Sequence, residues 1–359
     1  MRTPDGSRPE ALLSVNDLKV RFSTEDGVVR AVEGVSFELR PGEILGIVGE
    51  SGSGKSVTAQ TMMGLTRSGN ATIEGSVRFR GMDLVNASDE QLQGIRGREI
   101  SMVFQDPMTS LNPVYRVGDQ IVEAIQAHRE IDDDEAKDTA RELLESVGIP
   151  NAAKRVDDYP YQFSGGMRQR AMIAMALSLE PRILIADEPT TALDVTIQAQ
   201  ILALLQRLNQ ERDLAVILIT HDLGVIAEVT DRVLVMYAGQ IVEEGSLEEI
   251  FYDPQHPYTW GLMGSLTRLD QPPPDRLPNI AGAPPSLLAP PTGCRFRPRC
   301  PHAFEKCPEQ PDLEVRLPQA TGHADRCWLD PSDKKRLREV EGRIGLQAPP
   351  APVGAGRGS

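Results

Sequence analysis

The spacing of apolar residues changes several times along the chain. Apolar and polar residues alternate over 13–22 and 35–39, which predicts half-buried antiparallel strands on either side of a turn at 25–27. Residues 44–48 are apolar without interruption, as in a strand that is buried on both faces. The same continuous pattern returns at three later places, 183–186, 216–219 and 233–236.

Helical spacing separates these strands. Residues 197–210 place apolar side chains on one face, and residues 88–164 are charged with apolar residues at helical intervals. Strands that alternate with helices predict an α/β fold, in which a parallel sheet carries helices on both sides. The antiparallel strands near the N-terminus form a separate β part.

Composition changes near residue 271. Residues 271–298 contain nine prolines, which favour extended, irregular chain, and residues 345–359 are rich in Pro, Gly and Ala, which predicts disorder. We therefore predict a large domain over 10–265, with a helical part over about 88–170. An irregular C-terminal extension follows over 266–335.

The charge of the chain limits its partners. With 38 Lys and Arg against 52 Asp and Glu, the net charge is −14, so the overall field does not attract nucleic acid. No apolar run reaches the ~18–20 residues of a membrane-spanning helix, and the N-terminal residues lack the apolar core of a secretory signal. These features predict a cytoplasmic protein that reaches a membrane only through a partner.

Residues 49–56 read Gly-Glu-Ser-Gly-Ser-Gly-Lys-Ser and fit the phosphate-loop pattern between a buried strand and a helix. The glycines let successive N–H groups point at phosphate oxygens, and the helix N-terminus adds partial positive charge. Lys55 would reach the β- and γ-phosphates of a nucleotide, and the Ser56 hydroxyl would bind Mg²⁺. Further along, Asp187 ends a buried strand and can orient Mg²⁺, while Glu188 could polarise an attacking water.

Residues 163–170, Phe-Ser-Gly-Gly-Met-Arg-Gln-Arg, resemble the signature segment of ATP-binding cassette (ABC) proteins. Further motifs stand in the family's order: Gln105 resembles the Q-loop, Asp194 belongs to a D-loop-like segment, and His221 resembles the switch histidine. The resemblance covers about 10–265. It implies the ABC fold, with a phosphate-loop core sheet, an N-terminal antiparallel β subdomain and a helical signature subdomain.

The resemblance also implies the roles of individual residues. Glu188 and His221 would be catalytic, with His221 at the γ-phosphate, and Ser56, Gln105 and Asp187 would hold Mg²⁺. Phe22, after the first strand and well before the phosphate loop, stands where the family places the aromatic side chain that stacks on adenine. The implied ATP-binding residues are Phe22, Gly49, Glu50, Ser51, Gly52, Ser53, Gly54, Lys55, Ser56, Val57 and Gln105.

The signature segment has a physical logic of its own. It opens an apolar helix, so free N–H groups and a hydroxyl form an anion site that has no lysine. The resemblance implies that two cassettes enclose two ATP molecules head to tail, each phosphate loop facing the partner's signature, with Asp194 at the seam. The implied signature residues are Ser164, Gly165, Gly166 and Met167.

Longer runs around these motifs, the segment 256–259 and the cysteine-containing tail resemble D-type ATPase subunits of bacterial oligopeptide and dipeptide importers. In that subgroup two different ATPase subunits pair beneath two permease subunits, at the cytoplasmic face of the cell membrane, and an extracellular binding protein delivers the peptide. The resemblance implies that the helical region near 88–164 docks a permease helix. Import of nickel or another small solute stays an alternative, as does, from another class, a soluble cassette ATPase without a transport role.

All four cysteines fall within residues 294–327. Their spacing fits neither a zinc ribbon nor a ferredoxin run, although proline follows two of them, as recurs at iron–sulfur sites. Members of the resembled subgroup carry a [4Fe–4S] cluster on this extension. The resemblance therefore implies a cluster, while zinc, unligated cysteines and a disulfide stay open. The implied ligands are Cys294, Cys300, Cys307 and Cys327, with His302 and His323 as possible substitutes.

Overall fold

The structure is a computed structural model, and it describes residues 10–105, 110–191, 193–265, 280–317 and 322–340. The chain forms two compact units. The first, the cassette unit, comprises Met1–Ile241 with Pro284–Pro290, and the second, the C-terminal unit, comprises Val242–Ala283 with Pro291–Ser359. The predicted boundary near 265 falls inside the C-terminal unit, and the predicted tail, 345–359, lies outside the described residues.

The cassette unit alternates strands and helices in the predicted way. Its strands are β1 Leu13–Thr24, β2 Gly27–Leu39, β3 Ile44–Val48, β4 Ala71–Phe79, β5 Met82–Asp83, β6 Ile100–Val103, β7 Ile183–Asp187, β8 Ala215–Thr220 and β9 Arg232–Tyr237. Its helices are α1 Lys55–Met62, α2 Asp89–Ile95, α3 Val117–Gln126, α4 Asp133–Ser146, α5 Ala152–Arg155, α6 Gly165–Ala176, α7 Val195–Arg212 and α8 Leu223–Val229.

Two sheets divide these strands. The first is antiparallel in the order β2-β1-β4-β5, and its opening hairpin places Thr24 opposite Gly27. The second contains the parallel run β9-β3-β8-β7-β6. Every residue of β3, β7 and β8 is buried, which explains their uninterrupted apolar sequences.

The parallel order positions the candidate chemistry. The carboxyl ends of β3, β6, β7 and β8 meet at one edge of the sheet, as ligand-binding loops do in parallel α/β sheets. The phosphate loop follows β3, Gln105 follows β6, Asp187 ends β7 and His221 follows β8. Residues that are far apart in sequence are therefore brought to the same edge.

Two details differ from the sequence-based expectation. Strand β6 lies within the stretch predicted to be helical, because four residues without alternation carry no strand signal of their own and pairing with β7 decides their conformation. Phe22 lies inside β1, opposite Val29 and Ala71, rather than after the first strand. The helical segment between β6 and β7 is present: helices α3 and α4 bury apolar faces that include Ile121 and Leu144.

The C-terminal unit has short elements and much irregular chain. Strand β10 (Gln240–Ser246) runs into it, followed by α9 (Leu247–Tyr252), α10 (Pro257–Gly264), β11 (Glu314–Val315), β12 (Ala324–Asp325) and α11 (Pro331–Val340). Strand β12 pairs antiparallel with both β10 and β11. Across the described parts of both units, no helix is long and apolar enough to cross a membrane.

Candidate active site

The phosphate loop depends on two glycines that admit no side chain. Gly49 has a φ of 154°, and a Cβ atom there would lie 2.1 Å from the carbonyl oxygen of Met236. Gly54, the N-cap of α1, has a φ of 100°, and its Cβ atom would lie 2.4 Å from the carbonyl oxygen of Ala31. Both positions combine a left-handed backbone with close backbone neighbours, so only glycine lets the loop curl.

Lys55 is buried at the start of α1, with 4% of its surface exposed. Its Nζ donates to the carbonyl oxygens of Gly49 at 2.7 Å and Glu50 at 3.0 Å. Burial lowers the pKa of Lys55, opposed by the nearby charges of Glu188, Asp187 and Glu50. The ammonium group thus lies inside the loop, where phosphate oxygens would be bound.

Ser56 and Asp187 come together from α1 and β7. The Ser56 hydroxyl donates to Oδ1 of Asp187 at 3.1 Å. Asp187 is buried, and burial raises the pKa of its carboxyl; the Ser56 hydrogen bond opposes this, Glu188 adds to it and Lys55 also opposes it. The pair presents a hydroxyl and a carboxylate oxygen, which are hard ligands of the kind that Mg²⁺ binds.

Glu188 is the meeting point of three loops. Its Oε2 accepts a hydrogen bond from Nε2 of Gln105 at 3.1 Å and lies 3.3 Å from Nδ1 of His221. It also accepts from the Thr191 hydroxyl at 2.8 Å. The structure therefore brings together the glutamate, glutamine and histidine that the sequence singled out, and adds Thr191, which sequence reasoning missed.

The backbone at Glu188 is in the left-handed region, with a φ of 49°. The N–H group of Glu188 donates to the carbonyl oxygen of Ile219 at the end of β8. Such a conformation is unfavourable for a residue with a side chain and persists where the surroundings hold it. Here the surroundings include the turn after β7, in which the N–H group of Thr191 donates to the carbonyl oxygen of Glu188 at 3.2 Å.

The signature segment begins helix α6. Ser164 is the N-cap, and its hydroxyl accepts from the N–H group of Met167 at 3.3 Å. Gly166 is packed so closely that a Cβ atom would lie 2.6 Å from Ile197 of α7. Asp194 in turn caps α7 by accepting from the N–H group of Ile197 at 2.9 Å. Two helix N-termini thus lie side by side, with Ser164, Gly165 and Asp194 exposed.

The other predicted ATP-binding residues vary in exposure. Ser51 and Gly52 are exposed at the loop tip, whereas Ser53 is buried, and its carbonyl oxygen accepts from the N–H group of Gly239. Glu50 and Val57 are half-buried. Phe22 is half-buried on the antiparallel sheet. A buried lysine, a hydroxyl beside a carboxylate and a second carboxylate held by an amide and an imidazole define a phosphate-loop nucleotide hydrolase.

The C-terminal unit gathers the four cysteines. All of them are free thiols, and all of them line one cavity together with Phe296 and Phe304. Burial raises the pKa of the thiols of Cys300 and Cys327 to about 12, and that of Cys294 in the same direction. In the described ranges, no three His, Cys, Asp or Glu side chains are arranged to hold a single metal ion.

A buried polar network lies in the same unit. Fully buried Glu243 accepts from Nε2 of His323 at 2.7 Å and from the N–H groups of Gln255 and His256. The ring of His256 accepts from the N–H group of Tyr258, and burial lowers its pKa to about 3. His256, the first residue of the 256–259 segment, therefore contacts Glu243 through its backbone N–H group and caps α10 with its ring. Glu243 itself gave no signal in the sequence.

Two family models match the sequence. The model described as ABC transporter matches residues 32–191, which include the phosphate loop, the signature segment and both acids at the end of β7. The model described as Oligopeptide/dipeptide transporter, C-terminal region, matches residues 242–307, which begin where the C-terminal unit begins.

Similar proteins cover most of the chain. It is 53% identical over 322 residues to the dipeptide transport ATP-binding protein DppD of Bacillus subtilis, covering 89% of this chain and 95% of that protein. It is 53% identical over 307 residues to the oligopeptide transport ATP-binding protein OppD of Salmonella typhimurium, covering 86% and 91%. A solved dimeric ATP-binding cassette in a post-hydrolysis state with ADP and Pi has a TM-score of 0.59 at 28% identity, covering 66% of this chain and 98% of that one.

These likenesses, with the geometry of the site, place the protein in the ABC transporter family of ATPases. Within that family it belongs with the ATP-binding proteins that carry the oligopeptide/dipeptide C-terminal region. The predicted family, fold class and ATPase activity are confirmed.

Proposed function

We propose that the chain hydrolyses ATP to power peptide import through a membrane permease. One observation carries the substrate class: the C-terminal region matches that of oligopeptide/dipeptide transporters, on a chain 53% identical to a dipeptide and an oligopeptide transport ATP-binding protein over nearly their full lengths. The cassette unit supplies the hydrolytic site. The complex would lie at the cytoplasmic face of the cell membrane, where an extracellular binding protein supplies peptide from the other side.

Lys55 and the loop N–H groups bind the phosphates of ATP in this proposal. The lysine sits within the curl of the loop, and a phosphate oxygen would replace the carbonyl oxygens it now contacts. Ser56, Asp187 and Gln105 would hold Mg²⁺, which their oxygen chemistry fits. The bound ion would neutralise charge that develops on the phosphate oxygens.

Glu188 acts as the general base and His221 as its partner at the γ-phosphate. The carboxylate can accept a proton from the attacking water. His221 lies 3.3 Å from that carboxylate, so the group that senses the γ-phosphate also touches the base. Hydrolysis is thereby coupled to correct seating of the nucleotide.

The exposed signature and D-loop support a second cassette as partner. Ser164 and Gly165 open a helix N-terminus whose N–H groups can bind an anion, and Asp194 lies exposed beside it. A related cassette was solved as a dimer. We propose a heterodimer with a different ATPase subunit, in which the partner's ATP meets this signature.

A groove in the helical segment supports docking of a permease helix. It is lined largely by small and apolar side chains and is open to solvent beside exposed Phe104. Methionine side chains adapt to an apolar partner. Two permease subunits would each place one short helix against a cassette. The principal lining residues are Met102, Val103, Phe104, Ala124, Met172 and Met175.

The four cysteines support a [4Fe–4S] cluster in the C-terminal unit. A cluster takes one thiolate at each of four irons, so thiols around one cavity suit it although no three converge on a single ion. A backbone N–H group also faces each sulfur, and at Cys294, Cys300 and Cys327 this group partly offsets the rise in thiol pKa that burial causes. The donors are Phe296 for Cys294, His302 for Cys300, Phe304 for Cys307 and Leu329 for Cys327.

Anaerobic purification tests the cluster. The protein should be brown, with about four irons and four sulfides per chain and little zinc, and Cys300→Ser should lose the colour. Finding one zinc and no iron would reject the cluster in favour of a zinc site. Finding no metal in protein from the native host would reject both hypotheses. Nucleotide binding by Cys300→Ser should be retained, because the phosphate loop is built on the parallel sheet of the cassette unit.

The transport function is tested with the complex that co-purifies from native membranes. In liposomes it should import labelled dipeptide or oligopeptide, and Glu188→Gln should bind ATP but hydrolyse it at least about tenfold more slowly. Glu142→Gln, on the exposed side of α4, serves as the matched control. Near-normal turnover of Glu188→Gln would reject Glu188 as the base. Import of nickel but not peptide would reject the substrate class.

A further inference from the structure

Thr191 makes the shortest contact to the carboxylate of Glu188. Its hydroxyl donates to Oε2 at 2.8 Å, against 3.1 Å for Gln105 and 3.3 Å for His221. All three contacts fall on the same oxygen. In the part of the chain that the structure describes, the other oxygen, Oε1, accepts no hydrogen bond.

The position of Thr191 relative to Glu188 is more constrained than the positions of Gln105 and His221. Gln105 and His221 are exposed and come from separate loops, after β6 and β8. Thr191 is half-buried on the turn that leaves β7, and its N–H group donates to the carbonyl oxygen of Glu188 at 3.2 Å. The left-handed backbone at Glu188 closes this turn and brings the hydroxyl back to the carboxylate.

We propose that Thr191 is a positioning residue for ATP hydrolysis. Its hydroxyl holds Oε2 of Glu188 and so directs Oε1 towards the attacking water. Gln105 and His221 are also proposed to bind Mg²⁺ and the γ-phosphate, respectively. When they do so, the hydrogen bond from Thr191 still fixes the carboxylate of Glu188. Thr191 also lies three residues before Asp194, so it connects the base to the segment that faces the second cassette. The inference rests on the proposed role of Glu188.

Three variants at this position test the inference in the assembled transporter. Thr191→Val keeps the shape and removes the hydroxyl, and we expect kcat to fall about tenfold while KM for ATP stays within about twofold. Thr191→Ser keeps a hydroxyl and should restore most of the rate. Thr191→Ala, which cannot crowd the turn, should match the valine variant. Thr139→Val removes a comparable hydroxyl hydrogen bond on α4 and should leave kcat unchanged.

A double-mutant cycle separates positioning from a purely structural effect. If Thr191 acts through the base, adding Thr191→Val to Glu188→Gln lowers kcat no further. A further tenfold loss in that background would overturn the inference, and so would a normal rate for Thr191→Val alone. Near-normal turnover of Glu188→Gln would instead overturn the proposed base, together with the inference that depends on it.

Discussion

Two buried lysines, one in each unit, differ in the charge of the groups that they contact. Lys55 in the cassette unit donates to neutral oxygens, the carbonyls of Gly49 and Glu50. Lys334 in the C-terminal unit is fully buried and lies 2.6 Å from the carboxylate of Asp325. The same side chain is therefore compensated by a permanent opposite charge in one unit and not in the other.

The difference indicates what each lysine is for. A buried charge needs compensation, and Lys334 has its own. Among the residues that the structure describes, no carboxylate is in direct contact with Lys55, and burial lowers the pKa of Lys55 despite the more distant acids. A phosphate group would supply the missing charge. A buried lysine without a paired carboxylate thus indicates a ligand site, whereas a paired one indicates a structural role.

Breaking the permanent pair should have the largest effect. Lys334→Met removes the closest counter-charge of buried Asp325 and leaves only Arg316, whose Nε lies 3.9 Å from the same oxygen, so we expect a cost of up to about 3–5 kcal/mol. Both tryptophans of the chain, Trp260 and Trp328, lie in the C-terminal unit, so urea unfolding followed by tryptophan fluorescence reports on that unit. The midpoint should fall steeply, with ATP binding retained.

The neighbouring lysine provides the control for that experiment. Lys335 is exposed on the same helix, and Lys335→Met should leave the midpoint nearly unchanged. Adding Asp325→Leu to Lys334→Met removes the stranded carboxylate and should recover part of the loss. An unchanged midpoint for Lys334→Met would show that the ion pair does not hold the unit together.

Removing the other lysine, Lys55, should weaken ligand binding rather than destabilise the fold. Lys55→Ala should lower ATP affinity at this chain's own site about 10- to 100-fold, because the phosphates lose a charge-assisted hydrogen bond. Equilibrium binding of a fluorescent ATP analogue measures this, with Lys334→Met as the control that keeps its affinity. Equal ATP affinity in Lys55→Ala and the wild type would contradict the interpretation that Lys55 binds a phosphate group.

The two units also differ in how far their sequences predicted them. The phosphate loop, the two acids at the end of β7 and the signature could be predicted because each is a short contiguous segment with a fixed chemistry. In the C-terminal unit, Glu243 and His323 are 80 residues apart and meet only after folding. Thr191 was missed although it stands next to a motif, because its contact depends on the left-handed turn at Glu188. The spacing of apolar residues along the sequence does not indicate such a turn.

Two helix caps sharpen the comparison on a smaller scale. Ser164 caps α6 and Ser88 caps α2, where it forms a capping box with Gln91. Replacing either serine by alanine should cost about 1 kcal/mol of stability. Only Ser164→Ala should also slow ATP turnover in the assembled transporter, because its hydroxyl and N–H groups face the partner's ATP in the proposal. Equal ATP turnover in Ser164→Ala and Ser88→Ala would reject the hypothesis of a second anion site at the signature.

The smallest expected effect concerns pH and the C-terminal unit. Burial lowers the pKa of His323, but the hydrogen bond and charge of Glu243 raise it more, so the net shift is upward from 6.5. A histidine with a raised pKa stabilises the fold fully below about pH 6.5 and loses that contribution as the pH rises through its folded value. The pKa of Asp325, which burial raises to about 6, lies below this window. The urea midpoint from tryptophan fluorescence should therefore fall as the pH rises above about 6.5, and His323→Gln should flatten that fall. Exposed His128 in the cassette unit provides the control, since His128→Gln should keep the wild-type slope. Parallel slopes in all three proteins would show that the Glu243–His323 pair does not set the pH dependence of the unit.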